Sequence, residues 1–301
     1  MRIAITGAEG QLGSELCRRL GDEAIALDLP DFDLTDRQGV VATLLDLRPE
    51  AVVNTAAYTA VDKAEDQPEL CWRVNTEGVA AVAEACRALD IPLVQISTDY
   101  VFGAGGRNQP YRETDEPSPQ GVYARSKLEG EREAARWTRH FVVRTCGLYG
   151  RRGKRAAGNF VETMLRAAQS GKAIRVVGDQ QCTPTYVPHL AKAVLFLLGT
   201  QRYGIYHVVN TGETTWYDFA REIFGRLGLR PPLEKITTAQ YGAPAPRPSY
   251  SVLDTGKYHS LPGRPAMPPW QDALAEYLGA REMPAQEGLA RRQAHLFDGT
   301  P

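Results

Sequence analysis

One short stretch limits this chain more than any other. An apolar run, Ile3-Ala-Ile-Thr6, breaks directly into Gly7-Ala-Glu-Gly-Gln-Leu-Gly13, and the residues from Gln11 to Leu20 then carry helical periodicity. Glycines spaced this way between a strand and a helix each have a physical task. The first makes a tight turn, the second lets backbone approach a pyrophosphate, and the third lets the helix pack on the strand. The helix N-terminus then offers free N–H groups and the positive end of its dipole to an anion. Asp28 closes the second strand, 21 residues after Gly7, where a carboxylate accepts hydrogen bonds from an adenosine ribose. The spacing predicts a dinucleotide site built on Gly7, Gly10, Gly13 and Asp28. Asp28 is followed by Leu29-Pro30 and not by a cation that would balance a ribose 2′-phosphate. The expected cofactor is therefore NADH or NADPH with a lean to NADH; Arg18, Arg19 and Arg37 are the cations that would reverse it.

The rest of the first half repeats the strand–helix alternation. Strands are expected at 2–6, 24–28, 51–54, 93–98 and 141–144, with helices at 11–20, 38–47, 70–89 and 123–136 between them. Strands joined through helices form right-handed crossovers and a parallel sheet, and strands that are apolar throughout suit a sheet covered on both faces. The fold class expected is α/β, a Rossmann-type doubly wound parallel sheet with a smaller C-terminal substrate-binding domain. Beyond residue 150 come a basic loop (151–155), a helix (159–170), a strand (174–177), a helix (187–198) and a strand (206–210) returning to the main sheet. Residues 230–270 are proline-rich, and the chain from Pro284 is polar and expected to fray. This gives a dinucleotide domain over 1–152, with 186–212 returning to it, and a cap over 153–185 and 213–301.

Composition excludes more than it assigns. Lys plus Arg number 35 against 36 Asp plus Glu, so nucleic acid and anionic membrane are not expected partners. No apolar run reaches the length of a membrane span, and Met1-Arg2 leads straight into a strand, so no signal peptide is expected. Five scattered cysteines without a CxxC, and five histidines without ligand spacing, point to reduced thiols, a cytoplasmic setting and no metal.

Tyr123-Ala-Arg-Ser-Lys127 places a phenol and an ammonium four residues apart on one helix face. A free tyrosine titrates near ~10, and a neighbouring cation favours its ionised form. The pair is the predicted acid–base centre. Ser97-Thr98-Asp99-Tyr100 ends the fourth strand, at the edge where open α/β sheets bind ligands. A hydroxyl there can donate to a carbonyl oxygen gaining negative charge.

These segments, taken in order, resemble the extended short-chain dehydrogenases and specifically the dTDP-4-dehydrorhamnose reductases. The resemblance is carried by Thr6–Gly13, Asn54–Glu65, Ser97–Gly103, Tyr123-x-x-x-Lys127, Gly158–Leu165, Pro184-Thr-Tyr186 and Arg247-Pro-x-x-Ser-x-Leu-Asp254. It implies reduction of the C4 keto group of dTDP-4-dehydro-L-rhamnose, with a homodimer as the implied oligomer. Tyr123 would then be the proton donor; Lys127 would hold the nicotinamide ribose and lower the tyrosine's pKa. Thr98 would bond the substrate oxygen. Gly10, Gln11 and Leu12 match pyrophosphate contacts, Asp28, Asp33 and Leu34 adenosine contacts, and Ala56, Ala57, Tyr58 and Thr59 the loop beside the cofactor. Asp99, Tyr100, Asn159 and Arg247 match the sugar-nucleotide side. Read without the family, Asp62 is a helix cap, and Trp216, Tyr217 and Phe219 are core.

One position departs from the pattern. Where the family commonly has a tryptophan against the sugar nucleotide, this chain has Gly147 within Arg144-Thr-Cys-Gly-Leu-Tyr-Gly150, and Tyr149 is the nearest aromatic to replace it. Two other functions share these motifs. One is a reductase or epimerase of another nucleotide sugar; the other is a non-catalytic homologue of the methionine adenosyltransferase regulatory-subunit type.

Overall fold

The computed structural model describes residues 1–103, 106–151, 153 and 158–281. In chain order the elements are β1 (Ile3–Thr6), α1 (Gln11–Leu20), β2 (Ala24–Leu27), α2 (Arg37–Leu47), β3 (Ala51–Asn54), α3 (Val61–Asp66), α4 (Pro68–Trp72), α5 (Gly78–Leu89), β4 (Leu93–Thr98), α6 (Gly121–Ala135), β5 (His140–Thr145), β6 (Leu148–Tyr149), α7 (Phe160–Ala168), β7 (Ile174–Val177), β8 (Gln181–Cys182), β9 (Thr185–Tyr186), α8 (Val187–Thr200), β10 (Gly204–His207), β11 (Thr214–Thr215), α9 (Trp216–Arg226), β12 (Leu233–Ile236), α10 (Thr238–Tyr241), α11 (Gly256–His259) and α12 (Trp270–Ala280).

Six strands form one parallel sheet in the order β10-β5-β4-β3-β1-β2. The chain starts at β1, steps outward to β2, then crosses back to β3 on the other side. The helices that follow β1 and β3 therefore lie on opposite faces and leave a crevice at the carboxyl ends of these strands, the usual ligand position in such sheets. All of β1, β3 and β4 is buried, which explains why these strands read as apolar runs. Leu12 and Leu16 of α1 with Leu190, Val194 and Leu197 of α8 cover one face. Val40 and Leu44 of α2 with Val79, Val82 and Cys86 of α5 cover the other. A second apolar cluster joins α7, α9 and α12 through Val161, Leu165, Phe219, Ile223, Leu274 and Tyr277; it is the core of the cap.

Two elements differ from expectation. The stretch expected as one helix over 70–89 is α4, a five-residue π turn at Arg73–Glu77, and α5. The wide turn sends Asn75 inward, where Gly130 of α6 packs so closely that a Cβ there would collide with the Asn75 carbonyl. Such widened turns concentrate at functional positions. The strand expected at 206–210 is Gly204–His207, because its partners in β5 run only from Phe141 to Arg144. Asn210 instead turns its amide inward, accepting from the Tyr186 N–H at 2.9 Å and donating to the Pro268 carbonyl at 2.8 Å. The proline-rich 230–270 region holds one strand and two single-turn helices. Most of the basic loop at 151–155 and the end from Pro284 lie outside the described residues. No described helix is long and apolar enough to cross a membrane, and no described cluster of His, Cys, Asp and Glu could hold a metal ion. The cysteines are all free thiols; Cys17 is half-buried and the other four are buried.

Candidate active site

The glycine loop is shaped by contacts that a side chain would destroy. Gly7 has φ +68°, and a Cβ on it would lie 2.7 Å from the Ala56 amide nitrogen, so the loops after β1 and β3 touch only because no side chain intervenes. A Cβ on Gly13 would lie 2.8 Å from the Ala8 Cα and overlap the Gly7 carbonyl. These are backbone atoms that cannot rotate away. Gly13→Ala is therefore expected to cost about 1–3 kcal/mol through overpacking and to weaken dinucleotide binding; melting curves with and without NADH would check both.

Above the loop lies a groove of about 600 Å³. Gly7, Gly10, Gln11, Leu12, Asp28, Asp33, Leu34, Ala56, Ala57, Tyr58 and Thr59 all line it, with Phe32, Val74 and Leu148 adding apolar wall. Gly10 N-caps α1 with no side chain across the helix end, so the first N–H groups face the groove. Apolar sides with an anion-binding end fit a nicotinamide dinucleotide. Asp28 accepts from the Glu9 N–H at 2.7 Å and the Leu29 N–H at 2.8 Å, which ties the end of β2 to the glycine loop. Of the three arginines weighed as counter-charges, Arg18 and Arg19 pair with Glu15 and Arg37 pairs with Glu84.

Thr98, at the carboxyl end of β4, is hydrogen-bonded to the phenol of Tyr123 in the first turn of α6. The Thr98 hydroxyl also accepts from the Tyr100 N–H at 3.1 Å, and the Tyr100 ring meets the Tyr123 ring edge-on at 5.9 Å. Lys127, one turn along α6, is buried and donates to the Ile96 carbonyl at 2.7 Å. Burial pulls its pKa down to about 8, against the nearby Glu131 carboxylate, which raises it. Burial pushes Tyr123 well above its ordinary value, with the Thr98 hydrogen bond opposing. Tyr123 thus holds its proton firmly, as a proton donor must before reaction.

Several expected ligand contacts are engaged within the protein. Asp99 is buried: the Ser251 hydroxyl donates to it at 2.5 Å and that of Thr98 at 3.1 Å. It braces Thr98 from behind. Asn159 caps α7 by accepting from the Glu162 N–H, and its amide donates to the Gly150 carbonyl and the Gln11 side chain, which pins the cap to the phosphate loop. Arg247 forms a two-pronged pair with Asp62 at 2.8 and 3.0 Å. The cap of α3 is Ala60 and not Asp62, so Asp62 is the arginine's partner. Tyr149 is fully buried, stacked on Tyr186 in the cap core, and does not fill the space at Gly147. Phe219 is core as expected, but Trp216 is only half-buried, and its Cη2 would lie 2.9 Å from a Cβ on Gly147.

Sequence reading missed the polar groups behind the site. Thr6, Asn54 and Gln95 form a buried hydrogen-bonded rung across β1, β3 and β4, and the Gln95 amide and Lys127 share the Ile96 carbonyl. Asn75 accepts from the Tyr58 N–H and donates to the Tyr58 carbonyl and the Ser126 hydroxyl, joining the cofactor-side loop to α6. Glu131 takes Arg144 two-pronged and the Ser97 hydroxyl. Glu65 accepts from the Val122 N–H at 2.8 Å and so caps the helix that carries Tyr123. Polar residues within apolar strands were the available signal for the rung; no sequence signal marks the others.

Comparison with known proteins agrees with this geometry. The family model described as RmlD substrate binding domain matches residues 1–283. The dTDP-4-dehydrorhamnose reductase of Streptomyces griseus is 42% identical over 91% of this chain and 92% of its own length. The spore coat polysaccharide biosynthesis protein SpsK of Bacillus subtilis is 40% identical over 93% and 98%. The crystal structure of the dTDP-4-dehydrorhamnose reductase of Bacillus anthracis in complex with NADP superposes with a TM-score of 0.88 at 37% identity, covering 93% of this chain and 99% of that one. The loop, groove and hydroxyl pair thus sit on a scaffold shared along nearly the whole length, and the chain belongs to the RmlD substrate binding domain family, that of the dTDP-4-dehydrorhamnose reductases.

Proposed function

We propose that this protein reduces the C4 keto group of dTDP-4-dehydro-L-rhamnose to give dTDP-L-rhamnose. The observation that carries the reading is the junction of Thr98 and Tyr123, one helical turn from Lys127 on the helix that Asn75 ties to Tyr58 in the wall of the dinucleotide groove. A nicotinamide dinucleotide, when bound, supplies the hydride. Tyr123 holds the proton destined for the carbonyl oxygen, and the Thr98 hydroxyl, turning its proton from Asp99, donates to that oxygen as its charge grows. Lys127, charged below about pH 8, supports a nicotinamide ribose and the phenolate left behind. Asp99, Asn75 and Glu131 keep these groups in place. Oxidation of NADH or NADPH followed by absorbance, with a panel of nucleotide keto-sugars, tests the reading. Turnover only with a different sugar would move it to another nucleotide-sugar enzyme, and no turnover with any would favour the regulatory homologue.

NADH is the proposed preference. The described groove carries Asp28 and Asp33 and no lysine or arginine, and a carboxylate beside a 2′-phosphate repels it. NADH is expected to bind at least about tenfold more tightly than NADPH, a gap of ~1.4 kcal/mol; the relative from Bacillus anthracis was solved with NADP. Equal or tighter NADPH binding in a calorimetric titration would overturn the preference. The same reading includes a dinucleotide domain over 1–152 and 186–212, a cap from the remainder, a homodimer and a cytoplasmic setting, the dimer being tested by sedimentation.

A further inference from the structure

Gly147 occupies a revealing position. The residue before it, Cys146, is hydrogen-bonded to Asp99, which braces Thr98; the residue after it, Leu148, lines the dinucleotide groove. The turn between them is left-handed, with φ +52°, where a side chain is strained. The nearest atoms to a side chain there are Cη2 of the Trp216 indole at 2.9 Å, the Pro184 Cα at 3.4 Å and the indole Cζ3 at 3.6 Å. The Trp216 indole therefore packs beside the turn that links Cys146, behind Thr98, to Leu148 in the wall of the cofactor groove. The ring is held firmly. Thr215 caps α9 by accepting from the Asp218 N–H at 3.1 Å, and Thr214 and Thr215 pair with Cys182 and Gln181. Phe160 supports it at 4.9 Å between ring centres, next to Asn159, which holds Gln11. Yet Trp216 keeps part of its surface open. A rigid, partly exposed indole at this junction is a surface for the apolar C–H face of a sugar ring.

We propose that Trp216 is the platform on which the hexosyl group of the nucleotide sugar rests. This rests on the reductase reading for its ligand. Trp216→Ala is expected to weaken dTDP-rhamnose binding about tenfold, in the range of a contact to an apolar group, and to raise KM for the keto-sugar similarly. Affinity for dTDP and NADH should stay within about twofold, as should kcat, with Trp216→Phe recovering most of the loss. Wild-type fluorescence should be quenched by dTDP-rhamnose, and Trp216→Phe should remove that change, the other three tryptophans remaining. Unchanged dTDP-rhamnose affinity overturns the proposal; so does an equal loss for dTDP alone, which would put the ring on the base. If the wild type binds dTDP-rhamnose through Trp216 but never turns over keto-sugar, the reductase reading fails while the platform stands.

Discussion

Tyr123→Phe is expected to cut turnover by about 10²–10⁴-fold, the usual contribution of a positioned proton donor. Dinucleotide affinity and melting temperature should hardly move. The ring would still pack edge-on against Tyr100, and the Thr98 hydroxyl would still donate to Asp99 at 3.1 Å, so only the proton is removed. Burial raises this phenol's pKa, so its proton stays on through the neutral range and the loss should appear in kcat across that range. Steady-state kinetics, with NADH titrated by fluorescence, would check the split. Turnover within about threefold of wild type would remove Tyr123 from the chemistry.

Loss of the Lys127 charge is the second large effect. Its pKa lies near 8, below the ordinary lysine value, because the ammonium is buried. The ammonium is therefore present below that pH and lost as pH rises through it, so kcat/KM should fall on the alkaline side with an apparent pKa near 8. The free enzyme governs kcat/KM, which makes that parameter the one to follow. Lys127→Met should lower kcat/KM at pH 7 by about 100-fold and flatten the limb. The buried Glu131 keeps its Arg144 partner, so the substitution strands no carboxylate. A limb that persists in Lys127→Met would assign it to another group.

What could be read from the chain alone follows from how local each determinant is. The glycine loop, the apolar strands and the Tyr123–Lys127 spacing are encoded within a few residues of one another, and the parallel sheet follows from their order. The internal partners of Asn159, Asp99 and Arg247, which are Gln11, Ser251 and Asp62, lie 148, 152 and 185 residues away, and no local pattern carries such pairings. The π turn at Arg73–Glu77 hides in a helical pattern because one extra residue per turn barely changes the periodicity. The spacing of Trp216, Tyr217 and Phe219 reads as core; Phe219 is buried there, while Trp216 and Tyr217 are only partly buried against it. Only the fold brings α9 over the turn at Gly147.

The short helix α3 reaches in two directions. Asp62 grips Arg247 of the cap, and Glu65, one turn later, holds the first free amide of α6 through Val122, next to Tyr123. Six residues thus anchor two distant segments at once, Arg247 through Asp62 and the start of the helix bearing the phenol through Glu65, so that the position of one is referred to the position of the other.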